Sequence, residues 1–313
     1  MQYFFFDCDP GHDDVLGLLL ALASPEVEIR GIVTSAGNQT SEKTLHNTLR
    51  LLSMVERTEI PVIKGLSAPI RRKLTVAADV HGETGLDGAD LGEIHMKPEQ
   101  GNPIDFMLRH IMSAPEPVTV FITGPMTNTA VLLLSHPEVK PHIKQISFMG
   151  GACFGGNKTP LAEFNIYVDP EAADVVFASG IPLVMCGLDV TLKAQIFPDE
   201  IENIRNLGNR TGAVIADLLD FFARTTTPNF LHPERLEGAH MHDPCAVAAV
   251  LEPERFVFKE MYGYVSCTDD AARGCTVLDY DGISGKPANV RVAFDLDREW
   301  FIDRLTRSIE VMP

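Results

Sequence analysis

Asp7-Cys8-Asp9-Pro10-Gly11-His12-Asp13-Asp14 places four carboxylates in eight residues, across what reads as a strand-to-helix turn. Strand alternation sends Asp7 and Asp9 to one side, and Pro10-Gly11 turns the chain so that Asp13 and Asp14 return in the first helical turn. Anions gathered in one pocket repel one another unless a cation or protons compensate them. The atoms on offer are hard oxygens, which suit calcium or magnesium better than zinc. Two other readings stand beside this one. Acids at a helix N-terminus can simply cap it and face solvent. An Asp-x-Asp after a first strand can also serve phosphoryl transfer as nucleophile and magnesium site, but no phosphate-binding basic residues follow it.

Other segments carry polar groups of the kind that bind a sugar. Glu163 and Asn165 lie two apart in Glu163-Phe164-Asn165-Ile166-Tyr167-Val168-Asp169-Pro170. If that segment is extended, both face one side at a spacing that suits sugar hydroxyls. Asn38 and Asn157 add amides in glycine-containing turns. His242-Asp243-Pro244, ahead of a helix predicted over Cys245–Leu251, adds a carboxylate and a titratable imidazole. Singly each signal is weak, since Asn beside Gly is usually a turn residue and Asp before Pro usually an N-cap. Together they describe a polyol pocket with a hard metal in it.

The elements that must position these groups alternate. Tyr3 to Cys8 reads as a strand stopped by Asp9-Pro10-Gly11, Asp13 to Ala23 as a helix, and Val27 to Thr34 as a second strand. Helical spacing over Thr44–Val55, Ile104–Met112, Asn128–Leu134 and Pro170–Ala178 precedes strands near Pro61–Ile63, Val118–Thr123, Gln145–Met149 and Pro182–Cys186. Near-continuously apolar strands alternating with helices predict an α/β fold: an open, mostly parallel sheet with helices on both faces. No linker divides the chain, so residues 1–313 are expected to form a single domain. In such sheets ligands bind at the carboxyl ends of the strands, where Asp7, Asp9, Asn38, Gly124 and Gly150 fall.

The chain has 313 residues and a formal charge of −17. That surface repels phosphate backbones and anionic lipid, so neither nucleic acid nor membrane is an expected partner. The longest apolar run, Val15 to Ala23, is too short to span a bilayer. No Lys or Arg precedes Arg30 and acids appear from Asp7, so no secretory signal is predicted and a cytoplasmic location is expected. The six cysteines are scattered without a CxxC pair and read as reduced thiols.

The octet resembles the N-terminal signature of the inosine-uridine-preferring nucleoside hydrolase family. The resemblance continues through Gly37-Asn38-Gln39-Thr40, His81-Gly82-Glu83-Thr84-Gly85-Leu86, Thr123-Gly124-Pro125-Met126-Thr127-Asn128, Met149-Gly150-Gly151-Ala152, Ala162-Glu163-Phe164-Asn165 and His242-Asp243, in family order over most of the chain. It implies an enzyme that cuts the bond between ribose and base with calcium as cofactor. Asp9, Asp14 and Asp243 would hold the ion through carboxylates and Thr123 through its carbonyl, with Asp7 supporting them from behind. Asp13 would take the proton from the attacking water. Asn38, Asn157, Glu163 and Asn165 would bind ribose hydroxyls with Met149 packing nearby, and His242 and His81 would sit near the base. The resemblance further implies a homo-oligomer, a tetramer.

This assignment suits the chemistry. N-glycosidic cleavage passes through an oxocarbenium-like state, and the departing base needs a proton or a strong hydrogen bond, which His242 could supply. The run from His81 to Gly88 is most similar to the bacterial pyrimidine-preferring members, so uridine and cytidine are the expected substrates. Where those members can carry Gln and Tyr near the base, an ungapped alignment puts Thr226 and Phe230 here. A broad inosine-and-uridine hydrolase is therefore the alternative. A calcium-dependent nucleoside sensor without turnover is a third reading, disfavoured because a pure binder needs no base such as Asp13.

Overall fold

Three consecutive phenylalanines at the centre of β1 (Gln2–Cys8) can all be buried only in a sheet covered on both faces. Phe4 and Phe6 join the apolar layer on one face and Phe5 the layer on the other. Replacing Phe5 by Ala would cost roughly 3–5 kcal/mol in lost transfer energy and cavity. The computed structural model describes residues 1–225 and 238–313.

From β1 the chain runs through α1 (His12–Leu22), β2 (Val27–Thr34), α2 (Ser41–Met54), β3 (Val62–Lys64), α3 (Ala78–His81), α4 (Pro103–Met112), β4 (Val118–Ile122), α5 (Thr127–Ser135) and β5 (Ile143–Met149). Next come α6 (Phe164–Val168), α7 (Pro170–Phe177), β6 (Leu183–Cys186), α8 (Leu188–Thr191), β7 (Gln195–Ile196), α9 (Pro198–Arg205) and α10 (Arg210–Thr225). The remainder is β8 (Ala239–His240), α11 (His242–Leu251), β9 (Phe256–Met261), β10 (Gly263–Val265), β11 (Thr276–Leu278), β12 (Val290–Leu296) and α12 (Arg298–Glu310). Among the described residues, no helix is long and apolar enough to cross a membrane.

Eight strands form one sheet in the order β3-β2-β1-β4-β5-β6-β12-β9. The pairings from β3 to β12 are parallel, and only edge strand β9 runs antiparallel to its neighbour. The expected open parallel sheet is present, and β12 and β9 extend it beyond the strands that periodicity predicts. The chain winds outward from β1 to β3, then crosses back to place β4 on the other side of β1. The carboxyl ends of β1 and β4 therefore flank the point where strand order reverses, the crevice in which open α/β sheets bind ligands.

Two local features differ from the periodicity. His242-Asp243-Pro244 does not precede α11 but forms its first turn, because Pro244 is well tolerated there, where no intrahelical N–H bond is lost. The Glu163–Asn165 segment is not extended either. Glu163 is the N-cap of α6, so Asn165 lies in a helical turn.

Candidate active site

α1 and α11 approach closely at Gly17, where an added Cβ would lie 3.6 Å from the Asp243 carbonyl carbon. That approach sets the first turn of α11 against the first turn of α1. Asp13, Asp14 and Asp243 are buried, and one oxygen from each lies within 4.8 Å of the others. Asp14 is held firmly: Oδ2 accepts from the Gly11 N–H (3.0 Å) and Asn38 Nδ2 (3.1 Å), and Oδ1 accepts from the Thr123 hydroxyl (2.7 Å). Asp9 stands beside the group. Its Oδ2 accepts from the Asn38 N–H (2.7 Å), while Oδ1 is buried with no hydrogen-bond partner among the described residues. Gly37 and Gly124 flank it so tightly that a Cβ on either would run into an Asp9 oxygen.

No basic side chain offsets this charge among the described residues. Burial first, then the neighbouring carboxylates, raise the Asp9 and Asp243 carboxyls well above their usual range. Burial and the Asp14 charge raise Asp13 to about 7, and burial raises Asp14. Crowded, desolvated carboxylates with one orphaned oxygen are what a hard divalent cation would relieve, so the residues present fit such an ion.

Asp7 faces away from the cluster, to the N-terminus of α5. Its Oδ1 accepts from Asn128 Nδ2 (2.8 Å) and its Oδ2 from the Thr129 hydroxyl (2.7 Å) and N–H (3.1 Å). A carboxylate there meets the positive end of the helix dipole, though burial still raises Asp7 to about 6. Its carbonyl accepts from the Thr123 N–H (3.1 Å), which ties β1 to the end of β4.

Asn165 bridges strand ends. Its Nδ2 donates to the Thr123 carbonyl (3.0 Å) and the Met149 carbonyl (3.3 Å), and lies 3.4 Å from the Met149 sulfur. The Thr123 carbonyl keeps a second lone pair. Glu163 accepts at Oε1 from the Asn165 N–H (2.9 Å) and at Oε2 from the Gly151 (2.9 Å) and Ile166 (3.3 Å) N–H groups. It therefore caps α6 and anchors the turn after β5, with burial raising it to about 7. Asn157 is exposed, and its Oδ1 accepts from the Phe164 N–H (2.9 Å). Asn38 is buried and bonds both Asp9 and Asp14.

His81, at the end of α3, is buried between His12 and Phe222. His242 is partly buried, with Nδ1 2.8 Å from the Thr191 hydroxyl and its ring 5.5 Å from that of His240. Burial, then His240, push His242 down to about 3. An uncharged ring can still offer an N–H. Sequence reasoning missed His12, His240 and Thr191. The His-x-His spacing of His240 and His242 was the available signal for one of them, whereas His12 and Thr191 carry no local signal. Thr226 and Phe230 lie outside the described residues.

The whole chain has relatives of the same architecture. It is 48% identical over 306 residues to the pyrimidine-specific ribonucleoside hydrolase RihA of Photobacterium profundum, covering 97% of each chain. The purine-preferring ribonucleoside hydrolase from Gardnerella vaginalis superposes with a TM-score of 0.91 at 32% identity, over 99% of this chain and 98% of that one. The plant nucleoside hydrolase PpNRh1 superposes at 0.88 and 28% identity over 99% of both. The sequence profile of the inosine-uridine preferring nucleoside hydrolases matches residues 4–303, and the chain belongs to that family.

Proposed function

We propose that this chain hydrolyses the N-glycosidic bond of ribonucleosides, uridine and cytidine foremost, with one calcium ion held by Asp9, Asp14, Asp243 and the Thr123 carbonyl. The observation that carries the proposal is the set of buried carboxylates, unbalanced by any basic side chain among the described residues, at the point where strand order reverses. The pyrimidine reading draws on the relative named pyrimidine-specific at 48% identity. A broad inosine-and-uridine hydrolase is the second reading, favoured by Thr226 and Phe230. We also propose a single domain, a cytoplasmic location and a homotetramer.

When bound, the ion would orient the ribose diol and make a water more acidic. Asp13 takes a proton from water as its oxygen attacks C1′. The C1′–N bond breaks, its electron pair leaves with the base, and the base takes up a proton. His242 supports that departure with an N–H, since Thr191 can hold its other nitrogen. Asn38, Glu163, Asn165 and the free amide end of Asn157 hold ribose hydroxyls, with Met149 behind them, and His81 lies by the base. Asp7 keeps the ends of β1 and β4 together. The unpartnered Asp9 Oδ1 favours a second assignment, in which Asp9 is the base and Asp13 joins Asp14 and Asp243 around the ion.

The test is release of free ribose from uridine, cytidine, inosine, adenosine and 2′-deoxyuridine by the calcium-loaded protein. Pyrimidine ribonucleosides should lead and the 2′-deoxy compound should be poor, because a site built for a hydroxyl rejects its absence. Binding without ribose release from any of them would leave a nucleoside sensor.

A further inference from the structure

We infer that His12 is a positioning residue that fixes the proton of His81 on Nδ1, so that His81 meets the nucleobase as a hydrogen-bond acceptor. The inference rests on the nucleoside reading above for its substrate, but its geometry stands alone. His12 Nε2 lies 2.8 Å from the Asp87 carbonyl oxygen. A carbonyl only accepts, so His12 carries its proton on Nε2. Its ring lies parallel to Phe221 and Phe222, at 8° and 2°, in an apolar slot that favours the uncharged form. The neutral ring then has an acceptor at Nδ1.

That Nδ1 is 3.1 Å from Nδ1 of His81. The ring centroids are 5.4 Å apart and the planes differ by 24°, so the two rings meet edge to edge rather than face to face. One nitrogen must donate across this gap, and only His81 Nδ1 is left to do so. The His12 N–H also points at His81 Nδ1, but from 3.4 Å, beyond the usual range for such a bond and longer than the 3.1 Å between the ring nitrogens. His81 is left with a bare Nε2, which has no hydrogen-bond partner among the described residues. Burial and the proximity of His12 and His242 keep the ring uncharged.

The loop after His81 is built to aim the Asp87 carbonyl. Gly82 adopts φ +79°, where a Cβ would run into the Asp87 side chain. The Asp87 carboxylate accepts from the Glu83 (3.0 Å) and Thr84 (3.1 Å) N–H groups. Asn47 Nδ2 fastens the Thr84 carbonyl (3.1 Å) and Gln39 Nε2 the Gly82 carbonyl (3.0 Å). The chain of consequence runs from Asp87 through His12 to His81. A bare imidazole nitrogen complements the N3–H of uracil or the amino group of cytosine. It cannot donate to the departing base, so of the two imidazoles only His242 can offer that base an N–H.

The experiment uses metal-loaded protein labelled with 15N-histidine, the His81 signals being assigned by their loss in His81→Gln. His12→Asn keeps an acceptor where Nδ1 stood, and His12→Phe keeps the stacked ring but removes the acceptor. Wild type and His12→Asn should show His81 protonated on Nδ1, and His12→Phe should lose that signature. On uridine, kcat/KM should fall about tenfold in His12→Phe, the size of one hydrogen bond, and recover in His12→Asn. p-Nitrophenyl riboside, which presents no N–H, should change little. A bare Nδ1 on His81 in wild type, or an unchanged tautomer in His12→Phe, overturns the inference. Equal losses on both substrates reduce His12 to a structural part and overturn it too. If wild type leaves uridine intact, the nucleoside reading fails, while the tautomer is still decided by the spectra.

Discussion

Asp14 has both oxygens bonded to Gly11, Asn38 and Thr123, whereas Asp9 keeps one oxygen unpartnered and Asp13 lies in the carboxylate group itself. Fixed carboxylates make good ligands, and a base needs a lone pair that water can reach. Asp13→Asn should lower kcat by ~10²–10⁴-fold with fold and nucleoside affinity kept. Single-turnover kinetics beside calcium titration check this. A near-normal kcat there, with collapse in a calcium-binding Asp9→Asn variant, would transfer the role to Asp9. His242 gives a second residue-scale prediction. Burial and His240 hold its pKa down at about 3, so the role proposed for it is an N–H offered to the leaving base. His242→Ala should lose much activity on uridine and little on p-nitrophenyl riboside, whose leaving group needs no help. Comparable losses on the two would show damage to the neighbouring Asp243 instead.

At the scale of elements, the packing of α11 on α1 assembles the carboxylates, and Gly17 sets its distance. A Cβ at 3.6 Å is ordinary contact, so Gly17→Ala should fold well and gain up to about 1 kcal/mol from helix propensity. Gly17→Leu would overpack the helix pair, costing about 1–3 kcal/mol, and should move Asp243 out of the cluster. Calcium affinity by calorimetry should then fall in Gly17→Leu and hold in Gly17→Ala. Unchanged affinity in both would mean that α11 is positioned by other contacts. The same scale shows why the Glu163 segment differs from the extended reading. A two-residue spacing is equally compatible with a strand and with an N-cap followed by a helical turn. The choice falls to the Gly151 N–H, which a remote turn brings within 2.9 Å of Oε2.

For the molecule as a whole, buried acids make stability depend on pH when no cation is bound. Burial raises Asp7 to about 6 and Asp13 and Glu163 to about 7, and burial with the neighbouring carboxylates raises Asp9 and Asp243 well above their usual range. A carboxyl whose folded pKa exceeds its unfolded value near 4 binds more protons in the folded state. Its burial therefore costs little below pH 4, and stability is lost as pH rises toward 7. The chelated protein should have a higher Tm at pH 5 than at pH 7.5, and calcium should raise the pH 7.5 value most. Equal Tm values across that range in a verified metal-free sample would contradict the crowding of the carboxylates. All six cysteines are free, so no disulfide complicates the measurement.

The alternation of strands and helices, the parallel sheet and the octet at the first strand end were legible because each depends on residues a few positions apart. Periodicity reports which face is buried, turn residues report where a strand stops, and acids close in sequence are necessarily close in space. The resemblance of the motifs added the identity of the remote partners, Asp243 and Thr123. What only the tertiary structure decided are the contacts between segments without a common period. Asn165 reaches back to the Thr123 carbonyl, Asp7 turns away to the N-terminus of α5, and Glu163 binds the turn after β5. His12, which reads in the sequence as a spacer between a turn and two acids, becomes the edge-to-edge partner of His81. Such partners are set by how helices and loops dock on the sheet, a property of the packed core that no window of sequence contains.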